Sequence, residues 1–203
     1  LIQETVEKIA HREGIGALLA EGVARAHEEL GVENWSVKGM DFSAHDGRAL
    51  HGQGLGFATA NRGGDHMYAT FYAYEYPLVS KDMAFPPEGL SEEKVERLVW
   101  AENKRAVEDC GIFCRFSRGE MTEERFEALL DADFDDLLEV GSRVVELERH
   151  FNNQRGFDRG DDTLPYELEG FDEALDRYYE TRGWQSDGTV SAPAAGGAAP
   201  ADD

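Results

Sequence analysis

A mostly α-helical, multihelical fold is predicted for this 203-residue chain by three observations. Apolar residues recur at helical spacing in several segments, a capping serine followed by two acids opens the most highly charged of them, and a glycine ends another as a C-cap would. The length allows one large domain or two small ones and suffices to bury a sizeable core. Hydrophobic residues make up 41% and aromatics 10% of the chain, a soluble, globular composition. No apolar run approaches the roughly 20 residues needed to span a bilayer, so no membrane segment is expected.

From Leu1 to Gly31 two helices are expected. Ile2, Val6, Ile9 and Ala10 form one apolar stripe, Gly14 to Gly16 interrupt it, and Leu18, Leu19, Gly22, Val23 and Ala26 form a second that Gly31 closes. His11 and His27 lie near these stripes and are read as surface or packing histidines rather than ligands. Trp35 to Asp46 alternates at Trp35, Val37 and Met40 and reads as an extended connection or short strand. Glycines then crowd at Gly47, Gly52, Gly54, Gly56, Gly63 and Gly64. Such a stretch either wraps around something or joins helices as an ordinary glycine-rich loop. Inside it, Leu55 to Arg62 can form a short helix that presents Arg62 and His66 on one side.

Met67 to Tyr76 favours a strand by propensity, with a helical continuation as the alternative. Pro77, Pro86, Pro87 and Gly89 mark an exposed loop. Ser91 caps a helix whose first turn carries Glu92 and Glu93, and whose apolar positions Val95, Leu98, Val99, Ala106 and Val107 run into the cysteines. Another helix is expected from Thr122 through Leu130. Phe134 to Asn153 carries the stripe Leu137, Leu138, Val140, Val144, Val145, Leu147 and Phe151, read as core packing. Asn152 to Pro165 is a polar loop, Phe171 to Trp184 the last helix, and residues 185–203 an Ala/Gly/Pro/Asp-rich tail expected to be disordered. The helical region is thus expected to span residues 1–184.

The net charge of −22 comes from 42 acids against 20 bases. It excludes a general nucleic-acid binder, because phosphate contacts need clustered Lys and Arg. Acids dispersed along the whole chain read as a solvated surface, suited to high salt where self-repulsion is screened, the alternative being an acidic docking face for a basic partner. Two cysteines are too few for a disulfide framework and lead to the expectation of a reducing, cytoplasmic setting. A start at Leu1 inside a helical pattern, with no basic and apolar leader, predicts a piece of a longer chain without a secretory signal.

Both cysteines fall in Glu108-Asp109-Cys110-Gly111-Ile112-Phe113-Cys114-Arg115-Phe116, where acidic, thiol, glycine and apolar residues end a helical pattern. The segment must leave helical geometry with a thiol in a definite direction, which marks it as a site of chemistry. Spacing C-x3-C is a weak metal signal: zinc sites usually take four Cys or His ligands and a redox disulfide favours C-x-x-C. Buried structural cysteines and one reactive thiol both remain open. A cluster-ligand role requires further thiolates from elsewhere, since an iron-sulfur cubane normally takes four.

Several stretches, in order, resemble the C-terminal region of the tungsten-pterin aldehyde ferredoxin oxidoreductases. They are Val37-Lys38-Gly39-Met40, Asp46-Gly47-Arg48-Ala49, the run Gly52 to His66 (GQGLGFATANRGGDH), and Asp109 to Phe116, which is similar to the family's D-x-x-G-L-C motif. Leu147-Glu148-Arg149 with Phe151-Asn152 and Arg155-Gly156, Arg159 with Asp161 to Pro165, and Tyr178-Tyr179 with Arg182-Gly183-Trp184 complete the likeness.

The resemblance implies a multihelical fold of the aldehyde ferredoxin oxidoreductase C-terminal type. It also implies an enzyme that oxidises aldehydes to carboxylic acids and passes electrons to ferredoxin, through a tungsten (or molybdenum) bis-pterin and a [4Fe-4S] cluster. Cys114 matches a thiolate ligand of that cluster. Asp109 matches a carboxylate that accepts hydrogen bonds from pterin nitrogens, Arg62 an arginine that contacts the pterin, and Arg115, next to the ligand cysteine, a further cofactor contact. His66 matches a histidine near the metal, proposed to act in proton transfer to the aldehyde oxygen. The family's amino-terminal pterin-binding domain and its C-x2-C-x3-C motif are not among these residues, so an N-terminal domain or subunit is the expected partner, and a homo-oligomer is compatible with the family. The competing expectation is an inactive helical binding or assembly module derived from the same family. Convergence of Arg62, His66, Asp109 and Cys114 on one face would separate the two.

Overall fold

The computed structural model of the chain describes residues 1–76, 84–117 and 120–191. The N-terminal third begins with three helices rather than the expected two: α1 (Ile2–His11), α2 (Ile15–Leu19) and α3 (Val23–Leu30). Gly16 sets how closely the first two approach, since a Cβ there would lie 2.2 Å from the Lys8 carbonyl. The extended segment is a minimal antiparallel hairpin of β1 (Ser36–Val37) and β2 (Met40–Asp41), turned at Lys38 and Gly39, whose φ values are both positive.

The centre of the molecule is α4 (His51–Thr59), in which every residue from Gly52 to Thr59 is buried. The glycines Gly52, Gly54 and Gly56 are therefore part of the packing surface of a core helix rather than a loop, while Gly63 and Gly64 lie in the turns beyond it. That helix starts four residues before the expected Leu55 and stops short of Arg62. Small faces let neighbours approach: a Cβ at Gly52 would meet the Phe71 ring at 2.3 Å, and one at Gly54 the Gly47 carbonyl at 2.9 Å. The helix has no ordinary N-cap. The Glu75 carboxylate replaces one, accepting the Gly52 and Gln53 amides at 2.8 and 2.9 Å, and is itself met by the buried Lys94 ammonium at 3.0 Å. An anion at a helix N-terminus is favoured by the unpaired N–H groups and the dipole.

Glu75 comes from α5 (Tyr72–Glu75), so the strand expected over Met67 to Tyr76 is instead turns and one helical turn; burial of Phe71, Tyr72 and Tyr74 around α4 overrides their strand propensity. Pro86 and Pro87 leave the chain in an exposed turn, whereas Pro77 lies outside the described residues. The long pair follows as expected: α6 (Glu92–Cys110), capped by the Ser91 hydroxyl on the Lys94 amide, and α8 (Phe134–Gln154), capped by Asp133, with α7 (Glu123–Leu130) between them. Helix α6 packs along α8 and along α9 (Phe171–Arg182).

The buried stripe of α8 is Phe134, Leu137, Gly141, Val145 and Arg149. Leu147 and Phe151, read as core from the sequence, are 57% and 58% exposed. The true stripe escapes a hydrophobicity pattern because one member is glycine and another arginine. A Cβ at Gly141 would fall 2.1 Å from the Asn103 carbonyl of α6, which fixes the distance between the two long helices. Residues 185–191, placed in the tail by composition, turn back onto the core: Gly188 accepts from Arg149 Nε at 2.7 Å, and the Val190 amide donates to Asn153. Residues 192–203 lie outside the described residues. No helix among the described residues is long and apolar enough to cross a membrane.

Candidate functional site

The loop that follows α4, residues 60–66, is clamped on both sides before its side chains are placed. Gly63 has φ +90°, and a Cβ on it would sit 2.2 Å from the Val37 carbonyl; one on Gly64 would sit 2.6 Å from that of Met40. Only glycine lets the loop lie this close to the β1–β2 hairpin. On the other side the Asn61 carboxamide donates to the Val145 carbonyl of α8 at 3.0 Å, and Asn152 donates to the Asn61 carbonyl at 2.8 Å. Below the loop, Lys38 reaches from the hairpin turn to the Ala58 carbonyl at 2.5 Å and to Asp162 at 2.6 Å. The hairpin, the end of α4 and α8 are thereby tied together, and residues 62 and 66 project from a rigid base.

Arg62 is half-exposed, pairs with Asp65 at 3.1 Å and lies over the Tyr68 ring at 5.3 Å. Tyr68 is buried and donates to Glu148 of α8 at 2.7 Å. Burial, then the charge of Glu148, pushes its hydroxyl well above the ordinary tyrosine value, so it stays a neutral donor. The His66 ring turns away from Arg62 toward a partner the sequence did not single out. It stacks on His45 at 4.7 Å, and His45 in turn packs on Tyr72 at 3.9 Å.

The second wall is the end of α6. The helix stops at Cys110, and Ile112 enters the left-handed region at φ +58° with its side chain 91% exposed. Phe113 anchors the turn by packing edge-on against Phe126 of α7 at 5.4 Å. That anchor leaves both thiols, Cys110 and Cys114, exposed, so neither is a buried structural cysteine. Arg115 folds back along the helix end, bonding Asp109 at 2.7 Å and Glu108 at 3.4 Å, while Glu108 also holds Arg105. Burial holds the Arg115 guanidinium below the usual arginine value. Asp109 and Glu108 oppose that shift; the charges of Arg105 and Arg62 add to it.

The two walls share a cavity of about 270 Å³ between α6 and α8, lined by Tyr68, Glu102, Arg105, Asp109, Cys110 and Glu148 among others. Of the five residues singled out in the sequence, Asp109 lines this cavity and bonds Arg115, Arg62 lies over the Tyr68 ring that lines it, and Cys114 is exposed on the turn between Asp109 and Arg115. His66 leaves the same loop as Arg62 but joins the His45–Tyr72 stack. Among the described residues no three His, Cys, Asp or Glu side chains are placed to hold a metal ion together. One exposed thiol fits a single corner of a cluster, and a half-exposed carboxylate beside two guanidinium groups fits the donor and acceptor edge of a heterocycle. His45, Tyr68 and Glu148 were not foreseen as site residues: no motif flags a lone histidine or a tyrosine–glutamate pair 80 residues apart.

Fold and site together define a class: a helical module with two exposed thiols and an acid–arginine wall at the end of a long helix. The chain belongs to the aldehyde ferredoxin oxidoreductase family; the family model for aldehyde ferredoxin oxidoreductase, domains 2 and 3, matches residues 1–194. It is 35% identical to the tungsten-containing aldehyde ferredoxin oxidoreductases of Pyrococcus furiosus and Pyrococcus horikoshii and 34% identical to that of Thermococcus kodakarensis. Each comparison covers 91% of this chain and 34% of the relative, so the chain spans about a third of the length of the curated relatives it matches.

Proposed function

We propose that the chain is the C-terminal portion of an oxidoreductase that converts aldehydes to carboxylic acids and delivers electrons to ferredoxin in the cytoplasm. In this reading a tungsten (or molybdenum) bis-pterin supplies the oxygen-transfer and redox chemistry, and a [4Fe-4S] cluster carries the electrons. Cys114 provides one thiolate of the cluster. Asp109 accepts hydrogen bonds from pterin nitrogens, Arg115 holds that carboxylate in place, and Arg62 offers a planar donor to the same cofactor. His66 moves a proton at the aldehyde oxygen. The remaining cluster ligands and pterin contacts come from an N-terminal domain or subunit.

The observation that supports the reading is the cavity between α6 and α8: Asp109, bonded to Arg115, lines it together with Tyr68, the ring over which Arg62 lies, and exposed thiols stand at the same helix end. The competing reading, a module without catalysis, is tested by the same experiment. Tungsten, iron and aldehyde-dependent viologen reduction are measured for the chain alone, with an N-terminal partner, and with that partner and Cys114→Ser. Activity only with the partner, and loss of iron in the variant, is the expected result. Full activity of the isolated chain sinks the proposal, and a partnered protein that holds neither metal makes the chain a scaffold.

A further inference from the structure

The imidazoles of His45 and His66 lie face to face, ring centres 4.7 Å apart and planes 19° from parallel. His45 comes from the loop between β2 and α4, His66 from the loop between α4 and α5, and both meet Tyr72 of α5, at 3.9 and 6.0 Å between centres. The Ser43 hydroxyl lies 3.0 Å from His45 Nδ1. The hydroxyl donates to that nitrogen when the ring is neutral with its proton on Nε2 and accepts from it when Nδ1 carries a proton, so the contact fixes the place of the His45 ring rather than its charge. We propose that His45 is a positioning residue for His66: it holds the His66 imidazole by stacking, and the two rings take up one proton between them rather than two.

The charges around the pair favour this arrangement. Two imidazolium rings stacked at this distance repel each other, and a nearby free carboxylate would offset that repulsion. Among the described residues, the carboxylates next to the two rings in sequence and the one on α5 are already paired. Asp46 is held by Arg48, Asp65 by Arg62 and the Met67 amide, and Glu75, at the far end of α5, by Lys94 and two amides of α4. Burial, and after it the charge of His66, holds His45 below the ordinary histidine value, which agrees with the geometry. The inference rests on the reading of His66 as the proton-transfer group and names what orients it.

The test is an NMR titration of the assigned imidazole Hε1 signals of this chain, without cofactor. In the native sequence the two histidines are expected to titrate as a coupled pair, each curve inflecting at the other's midpoint; two independent single-step curves overturn the proposal. His66→Phe keeps a ring in the stack and removes its charge. The His45 midpoint should then rise by roughly one pH unit, the scale on which two sites behave as a pair, and an unchanged midpoint counts against coupling. For positioning, the ring-current shift of the His66 signal should survive His45→Phe and vanish in His45→Ala. Its persistence in His45→Ala shows that something else holds the ring. Amide spectra check folding, and if a variant fails, the native titration decides alone. The metal and viologen assays are independent of these signals, so the two proposals can fail separately.

Discussion

The Asp162 carboxylate receives the Arg149 guanidinium through two contacts, Nη1 to Oδ1 at 2.9 Å and Nη2 to Oδ2 at 2.8 Å, with both side chains fully shielded from solvent. Lys38 and the Tyr179 hydroxyl bond the same carboxylate, at 2.6 and 2.5 Å. One acid thus joins the hairpin turn, α8 and α9, and it is outnumbered by cations. Asp162→Ala leaves a guanidinium and an ammonium buried without their counter-charge and is expected to cost about 3–5 kcal/mol. Urea denaturation measures it, and a loss below ~1 kcal/mol would show that the cluster relaxes into water.

The contact between α6 and α8 at Gly141 is backbone on backbone. In Gly141→Ala the new Cβ meets the Asn103 carbonyl at 2.1 Å, and neither helix can yield by rotating a side chain. Helix propensity favours alanine by about 1 kcal/mol, but overpacking costs about 1–3 kcal/mol, so the variant should be less stable on balance. It should also disturb the cavity between these helices. A thermal midpoint equal to or above that of the native chain contradicts this account.

Glu75 and Glu102 are held above the ordinary carboxylate value, burial being the largest cause for each and their cationic partners opposing it. A carboxyl with a raised folded pKa binds its proton more tightly in the folded state. The stability it contributes is present below its ordinary value of 4.5 and is lost as pH rises through the folded pKa. The share of stability due to these two groups should therefore fall as pH rises from mild acid, opposite in sign to that of depressed carboxylates such as Asp46, whose share is lost as pH falls. Salt should soften the share due to the dispersed charge of −22 and not the share due to these two groups. Glu102→Gln, although less stable throughout, should show a shallower slope of unfolding free energy against pH; an identical slope would remove Glu102 from the account.

Much of the helical frame was legible in the sequence because α6 and α8 carry side-chain caps and α6 to α9 carry apolar positions at helical spacing, signals that act locally. The centre was not. Helix α4 shows no apolar face because it is buried all round, and its glycines, which read as loop, are what allow Phe71 and the Gly47 backbone to close on it. The end of α6 at Cys110 was legible in the sequence, since a helix termination is a local event. Arg149 on the buried stripe of α8 and Gly188 beyond the last helix pair through tertiary contact alone, and composition placed Gly188 in a tail. His45 remained hidden for the same reason: its significance lies in a ring 21 positions away that only the clamp on Gly63 and Gly64 brings near.

Asp109 separates stability from function. Its side chain is 53% exposed, and its bond to Arg115 is one of several that Arg115 and its neighbours make at the helix end. Pairs of this exposure contribute at most about 1 kcal/mol, so Asp109→Asn should leave the unfolding midpoint of the chain nearly unchanged. Its effect should fall on the cofactor. Asparagine keeps the size and one acceptor but loses the charge, and a hydrogen bond to a charged group is worth about 1.5–3 kcal/mol. Tungsten or molybdenum retention in the protein assembled with its N-terminal partner should accordingly fall by ~10-fold or more, with aldehyde-dependent viologen reduction falling alongside. If the variant unfolds early, the Asp109–Arg115 bond is structural. If it retains its metal in full, the pterin contact lies elsewhere on the helix end, and Arg62 and Arg115 become the residues to substitute next.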